Sequence, residues 1–350
     1  MHEKIKHVFR GKNVPGNNEG LRKRLQKMRV LVTGAAGFIG SHLCSSLSDS
    51  QHKVLGIDNF SDYYSINLKH KRLEHFTKLH EYDFEETDIT NRPQFNEIVS
   101  KFRPDLVVHL AAQPGVRLPI QEYHRYIDSN LLGFGNVLQA TLDQGVPNFL
   151  YASSSSVYGD NATVPYKESE EGLRPISFYG ATKLSNEILA QSISTSVNTK
   201  IRGLRFFTVY GPWGRPDMAY FKIAKALLQD QQFTMYGDGS VLRDFTYVDD
   251  TITSIEKLIN QIQISDKRIN DVVNVGGGKP HSLFEMIETL ETLTNKQLKL
   301  IVSDKVEGDV RKTISDTKRQ IELTQFIPEI PLAQGLDLFL DWLTKHQEIS

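Results

Sequence analysis

From Arg29 onward, short β-rich runs alternate with stretches of helical character; MRVLVTG, HKVLGID, PDLVVHLAA, NFLYASSSS and KIRGLRFF mark the strands. Apolar residues in these runs fall on consecutive positions, not on every second one, so both faces of each strand must be covered. This predicts βαβ units and an α/β fold, a Rossmann-like doubly wound parallel sheet with helices on both sides. After Tyr210 the pattern changes. GPWGRPDM, MYGDGSVLRDF and NVGGGKP bring glycine, proline and charge together, and helical stretches at 220–228 and 282–293 interrupt them. The expected organisation is a first domain over 29–205, to which the chain returns around 243–276, and a smaller α/β domain from 206–242 and 277–350.

The chain has 350 residues, enough for about two domains with a sizeable core. Lys and Arg number 41 against 42 acidic residues. The balance supplies no overall field for nucleic acid or an anionic membrane, so any anion has to be bound by a local site. The single cysteine, Cys44, excludes an internal disulfide and a multi-thiolate zinc site. It reads as a small buried residue and fits a reducing compartment. No metal is expected. Apolar runs such as 106–112 are strand-length, short of the roughly 18–20 residues that cross a bilayer. The sequence therefore predicts a soluble, cytoplasmic protein with neither membrane insertion nor nucleic acid as a partner. Residues 1–27 are basic, rich in Gly and Asn, and lack the apolar core of a secretory signal. They read as a flexible extension; a basic arm touching a membrane or nucleic acid, or a functional start at Met28, are the other readings.

The strand 30–33 runs straight into Gly34, Ala35, Ala36, Gly37, Phe38, Ile39 and Gly40, followed by the helix-like SHLCSSLSDS. Glycines here allow a tight turn and the approach of a pyrophosphate to backbone amides at a helix N-terminus. The pattern alone is weak. The strand before it, the helix after it and an acid at the next strand end make it a dinucleotide signature. That acid is Asp58, closing HKVLGID, with Asn59 next to it. Its carboxylate is placed to accept from ribose hydroxyls and would repel a 2′-phosphate, which favours NAD over NADP; a plain strand-end cap is the alternative. Asp88 and Ile89 after the third strand, and Leu110, Ala111 and Ala112 after the fourth, fall where chain ends meet the adenine and the inner cofactor phosphates.

Tyr179 and Lys183 stand one helical turn apart on one face, with Asn186 and Glu187 continuing the helix. At an effective dielectric of ~20, a positive charge about 4 Å away is worth roughly 4 kcal/mol. A tyrosine starting near ~10 would then approach ~7 and could act as a base at a hydroxyl. Such a spacing is common by chance. Here it follows a strand ending in Ser153, Ser154, Ser155 and Ser156, at the carboxyl edge where doubly wound folds place their active sites.

TGAAGFIG, ASSSSVYG, YGATK and RDFTYVDD resemble the extended short-chain dehydrogenases that epimerise or dehydrate nucleotide sugars, over about Met28 to the end. HLAAQPGVR and RFFTVYGPWGRPDM are similar to the UDP-glucuronate 4-epimerases of that group. The resemblance implies NAD as cofactor for the first domain, a UDP-sugar for the second, and a homodimer formed through two helices. It implies Ser154 as the hydroxyl bridging sugar oxygen and base, Tyr179 as acid/base, and Lys183 as its partner that also holds the nicotinamide ribose. Asn130 and Phe206 join the implied cofactor contacts. Arg117, Thr208, Arg215, Ser155 and Ser156 are implied at the sugar and carboxylate end, and Arg243 at the nucleotide diphosphate, where arginine forks suit carboxylate and phosphate. The chain departs from the pattern in two places. Pro114 stands where some relatives carry lysine, and Arg311 follows the acidic turn of VEGDVRKTISD, whose Asp309 is carried over as a nucleotide ligand.

The reaction so implied inverts C4 of UDP-glucuronate to give UDP-galacturonate through a transient 4-keto sugar. Arg215, Thr208, Ser155 and Ser156 would hold the carboxylate against loss of carbon dioxide. Other readings stay open: a 4-epimerase of UDP-hexoses or UDP-N-acetylhexosamines, a dehydratase, or a non-catalytic NAD-binding protein. The dehydratase is disfavoured because Ser155 and Ser156 stand where that chemistry wants carboxylates.

Overall fold

The computed structural model describes residues 27–193, 195–304 and 312–346. Asp309 and the N-terminal extension, apart from Lys27, lie outside the described residues. The first elements are β1 (Arg29–Thr33), α1 (Phe38–Asp49), β2 (Lys53–Asp58), α2 (Ile66–Leu79), β3 (Asp83–Glu86), α3 (Arg92–Phe102) and β4 (Leu106–His109). Next comes α4 (Tyr123–Tyr126), which runs through a π-helical stretch (Ile127–Gly133) into α5 (Phe134–Asp143). Then follow β5 (Asn148–Ser154), α6 (Phe178–Ser192), β6 (Lys200–Phe206), β7 (Thr208–Tyr210), α7 (Ala219–Leu228), β8 (Gln232–Tyr236) and β9 (Leu242–Tyr247). The remainder is α8 (Val248–Ile264), β10 (Asn270–Val275), β11 (Pro280–Ser282), α9 (Leu283–Thr294), β12 (Lys299–Ser303), β13 (Lys312–Thr313), α10 (Lys318–Thr324) and α11 (Leu332–Lys345).

Seven strands form one parallel sheet in the order β10–β6–β5–β4–β1–β2–β3. The chain grows outward from β1 first on the β2 side and then on the β4 side, which makes the carboxyl ends of β1 and β4 the natural crevice for a ligand. Consecutive apolar residues serve opposite faces. Val30, Val32, Val108 and Leu150 belong to one core, Leu31, Val107, Phe149 and Ile201 to the other. The first of these cores continues into the C-terminal half through Tyr210, Trp213, Phe221, Phe339 and Trp342. Cys44 is fully buried in it.

In the C-terminal half, β9 pairs with β7 and β13 in parallel and with β11 antiparallel, while β8 and β12 form a separate parallel pair. The helix expected over 282–293 begins at Leu283, because the Ser282 hydroxyl accepts from Glu285 N at 3.0 Å and caps it. The helix expected from 220 starts one residue earlier. Among the described residues no helix is long and apolar enough to cross a membrane, and no group of three or more His, Cys, Asp or Glu could hold a metal ion.

Candidate active site

After Thr33 the chain turns through Gly34, at φ +78°, into α1, whose N-cap is Gly37. A Cβ on Gly34 would lie 2.7 Å from Ala111 N, and one on Gly40 only 2.0 Å from the Gly34 carbonyl oxygen. Both neighbours are backbone and cannot yield. No side chain caps α1, so the amides of its first turn, at Phe38, Ile39 and Gly40, are left for an anion. The Asp58 carboxylate accepts from Ala36 N at 3.1 Å and from Phe60 N at 2.9 Å, and so fastens the glycine turn to the end of β2. Asn59 Nδ2 donates to Asp88 Oδ2 at 2.8 Å, and Thr90 gives Asp88 Oδ1 both its amide and its hydroxyl. Burial works against ionised Asp88, but these hydrogen bonds outweigh it and hold the group below the usual carboxylate range. Ile89 packs against Gly133, where a Cβ would come within 2.6 Å of it.

Ala111 N donates to Thr33 Oγ1, which also pairs with His109 Nδ1 at 2.7 Å. Burial drives His109 down to about 3, with the charge of Lys183 acting in the same direction, so its imidazole is neutral at pH 7. Ala112 and Leu110 are partly exposed beside it. Asn130, in the π-helical stretch, is 1% exposed. Its Oδ1 accepts from Gln113 N, and its Nδ2 donates to Gln113 O and Thr182 Oγ1. Its amide therefore clamps the loop after β4 to α6, with protein partners on both atoms. Phe206 closes β6 in register with Ser154 and Val275.

Ser177 caps α6 by accepting from Gly180 N at 3.0 Å. Gly180 lets the helix close on the serine loop, since a Cβ there would be 2.6 Å from Ser156 O. Ser154 Oγ accepts from Ser156 N at 3.1 Å, and its hydroxyl favours the ionised form of the Tyr179 phenol. Lys183 Nζ donates to Ala152 O at 3.0 Å and lies 5.9 Å from the Tyr179 ring centroid.

The expectation that Lys183 brings Tyr179 down to ~7 is not met. Burial raises the phenol above its ordinary value, and what opposes burial is the charge of Arg215, followed by the Ser154 hydroxyl. Burial pushes Lys183 itself down to about 8. The reason is direction: the ammonium points at the Ala152 carbonyl. Ser153 also departs from the site. It donates to buried Glu187, which Arg205 grips through Nε at 2.9 Å and Nη2 at 2.7 Å, pinning α6 to β5 and β6.

Ser155 and Ser156 form a 3₁₀ turn at the end of β5. Thr208 opens β7 opposite Phe245. Arg215, in the turn after β7, forks to Asp217. Arg117 sits in the loop closed by Tyr126, whose hydroxyl donates to Gly115 O at 2.6 Å and whose ring centroid lies 6.1 Å from that of Tyr179. Arg243 lies elsewhere, in β9, where Nη1 donates to Leu242 O and its charge acts on Tyr166.

Arg72 was not foreseen. It is fully buried, and its guanidinium donates to Trp213 O, Gly214 O, Tyr64 Oη and Ala36 O at 2.8, 2.9, 2.7 and 3.3 Å. It bolts the glycine turn to the loop that carries Arg215. Its sequence context, KHKRLEH, looks like a solvated basic face and gives no signal of this. Asp217 was also missed, although an acid two residues after Arg215 is a visible cue.

Residues 30–276 match the model of the NAD dependent epimerase/dehydratase family, and the chain belongs to that family. It is 39% identical over 332 residues to protein CapI of Staphylococcus aureus, spanning 91% of this chain and 99% of the relative. The UDP-glucuronate 4-epimerase of Thermodesulfobacterium geofontis is 36% identical, over 91% of this chain and 97% of the relative. The crystal structure of UDP-glucuronic acid 4-epimerase from Bacillus cereus, in complex with UDP-glucuronic acid and NAD, superposes with a TM-score of 0.82 at 34% identity. The match covers 90% of this chain and 99% of that one.

Proposed function

We propose that the chain inverts C4 of UDP-glucuronate to give UDP-galacturonate, using NAD. The observation that carries this reading is that the Arg215 charge and the Ser154 hydroxyl both act on the Tyr179 phenol, in a chain similar to UDP-glucuronate 4-epimerases over nine-tenths of its length. The dinucleotide fits what surrounds it. Gly34 and Gly40 leave a cradle that a Cβ would fill, α1 opens without a side-chain cap, and Asp58 ends β2 beside the turn. When bound, NAD supplies a hydride acceptor and donor at C4.

Tyr179 takes the C4 hydroxyl proton as phenolate and returns one when the opposite configuration forms. Burial opposes that ionisation, so the positive charge of Arg215 and the Ser154 hydroxyl matter to it. Ser154 bridges the sugar oxygen and the phenol. Lys183, with one donor committed to Ala152 O, keeps others for the nicotinamide ribose. Arg117, Thr208, Ser155 and Ser156 line the sugar end with Arg215, and Arg243 and Asp309 belong to the nucleotide. We assign 29–205 and 243–276 to the cofactor, and 206–242 with 277–350 to the UDP-sugar. Remote anchoring of the nucleotide leaves the sugar free to present either face.

The partner is a second copy of this chain. Ile127 and Leu132 ahead of α5, and Ile188 and Leu189 on α6, are 47, 52, 58 and 44% exposed, an apolar strip that suits a helix-to-helix interface. A nucleotide-sugar substrate and one buried thiol support a cytoplasmic reaction.

Replacing Tyr179 with Phe tests the reading. NAD should stay bound while turnover of UDP-glucuronate, followed by NMR, falls by a factor of about 10²–10⁴. Normal turnover in that variant overturns the assignment. In deuterated water the galacturonate product should carry no solvent deuterium at C4.

A further inference from the structure

Arg215 is the cation whose charge acts on Tyr179, and one edge of it is already occupied. Asp217 takes Nε at 3.0 Å and Nη2 at 2.5 Å through its two carboxylate oxygens. Tyr63, from the loop between β2 and α2, donates to the same carboxylate at 3.3 Å. Burial disfavours the charged form of Asp217, yet Arg215 holds it below the ordinary carboxylate range. The two side chains are 22 and 25% exposed, so the pair borders the cleft and is not locked in the core. Tyr63 also supports the loop that leads to Arg117, since a Cβ on Gly115 would fall 2.1 Å from the Tyr63 hydroxyl. A guanidinium matched in this way keeps its Nη1 donors for a ligand while part of its charge is offset.

An enzyme that inverts one ring carbon has to hold the sugar in two orientations. A carboxylate gripped by an uncompensated arginine would be trapped in the first, and ground-state binding of that kind slows turnover. We infer that Asp217 sets the strength of the hold on the sugar carboxylate: by filling one edge of Arg215 and offsetting its charge, it lets the carboxylate be released while the sugar turns. Asp217 acts through Arg215 and is a specificity-setting residue, not a catalytic one. The inference rests on the proposed UDP-glucuronate chemistry and adds a residue to it.

The experiment compares NAD-loaded wild type with Asp217→Asn, a change that keeps size and shape. Calorimetric titration with UDP-glucuronate should show about tenfold tighter binding in the variant, with affinity for UDP-glucose, whose sugar carries no carboxylate, unchanged. In steady-state assays kcat and KM for UDP-glucuronate should fall together. Asp217→Glu, which restores the carboxylate, should move both values back toward wild type. Tyr63→Phe removes a single hydrogen bond to Asp217 and should shift them the same way as Asp217→Asn, by about twofold. UDP-glucuronate binding that is unchanged or weaker in Asp217→Asn overturns the inference, as does an equal loss of affinity for both sugars. Wild type that binds NAD but does not convert UDP-glucuronate overturns the proposed function instead.

Discussion

The glycine turn after β1 and the pocket beneath α6 stand at nearby strand ends and are built in opposite ways. The turn is backbone almost throughout. Its shape follows from carbonyls and amides that come so close that no Cβ fits at Gly34 or Gly40, with Asp58 and Arg72 as charged fastenings at Ala36. The pocket is made of buried charge. Lys183, Glu187 and Arg205 are 2, 8 and 4% exposed, and an interior accepts such groups only when each finds a partner. One region thus fails when an atom is added, the other when a partner is taken away.

The strongest way to break this contrast is Glu187→Ala. It strands the Arg205 guanidinium in the interior, and denaturant unfolding should show a loss of about 3–5 kcal/mol. A loss below about 1 kcal/mol would mean that packing alone holds α6. Next is the titration of Lys183, pushed by burial from 10.5 to about 8. Below about 8 the ammonium is charged in folded and unfolded chains alike, and its burial costs stability. Between 8 and 10.5 the unfolded chain binds more protons, so stability rises with pH. Relative to Lys183→Met, wild type should gain on the order of 3 kcal/mol across that window. A flat difference would show that the ammonium is well solvated. The smallest loss of stability is expected from Gly40→Ala, about 1–3 kcal/mol, yet it should cost NAD affinity at least about tenfold. NAD binding at wild-type strength would remove the turn from the cofactor site.

The same contrast governs what could be read before folding. β1, β2, β4, β5 and β6 are legible because consecutive apolar residues in short runs have few other uses, and Gly34, Gly37 and Gly40 are legible because backbone geometry is written in glycine. Side-chain direction is not written that way. The spacing of Tyr179 and Lys183 brings them onto one helix face, but only the fold aims the ammonium at Ala152 and brings Arg215 from a distant loop. Ser153 was readable in part: successive strand residues point to opposite faces, so Ser153 and Ser154 could not both serve the site. The strand order around β9 was hidden because β13 has two residues and β11 three, too short for any periodicity. Arg72 was hidden because a buried guanidinium satisfied by carbonyls looks, in sequence, like one facing water.

The path of the chain between the central sheet and the C-terminal strands has a practical consequence. After β6 the chain leaves the sheet for β7, comes back at α8, which Glu256 ties to Ser46 of α1 at 2.6 Å, completes β10, and leaves again for β11. A chimaera that borrowed its C-terminal strands and helices from another family member would need splices near Phe206, Tyr247 and Val275 at once, each in register with a strand already paired. The two halves are therefore not interchangeable cassettes, and altering individual side chains in the loops around 113–119 and 211–218 is the shorter route to a new sugar preference.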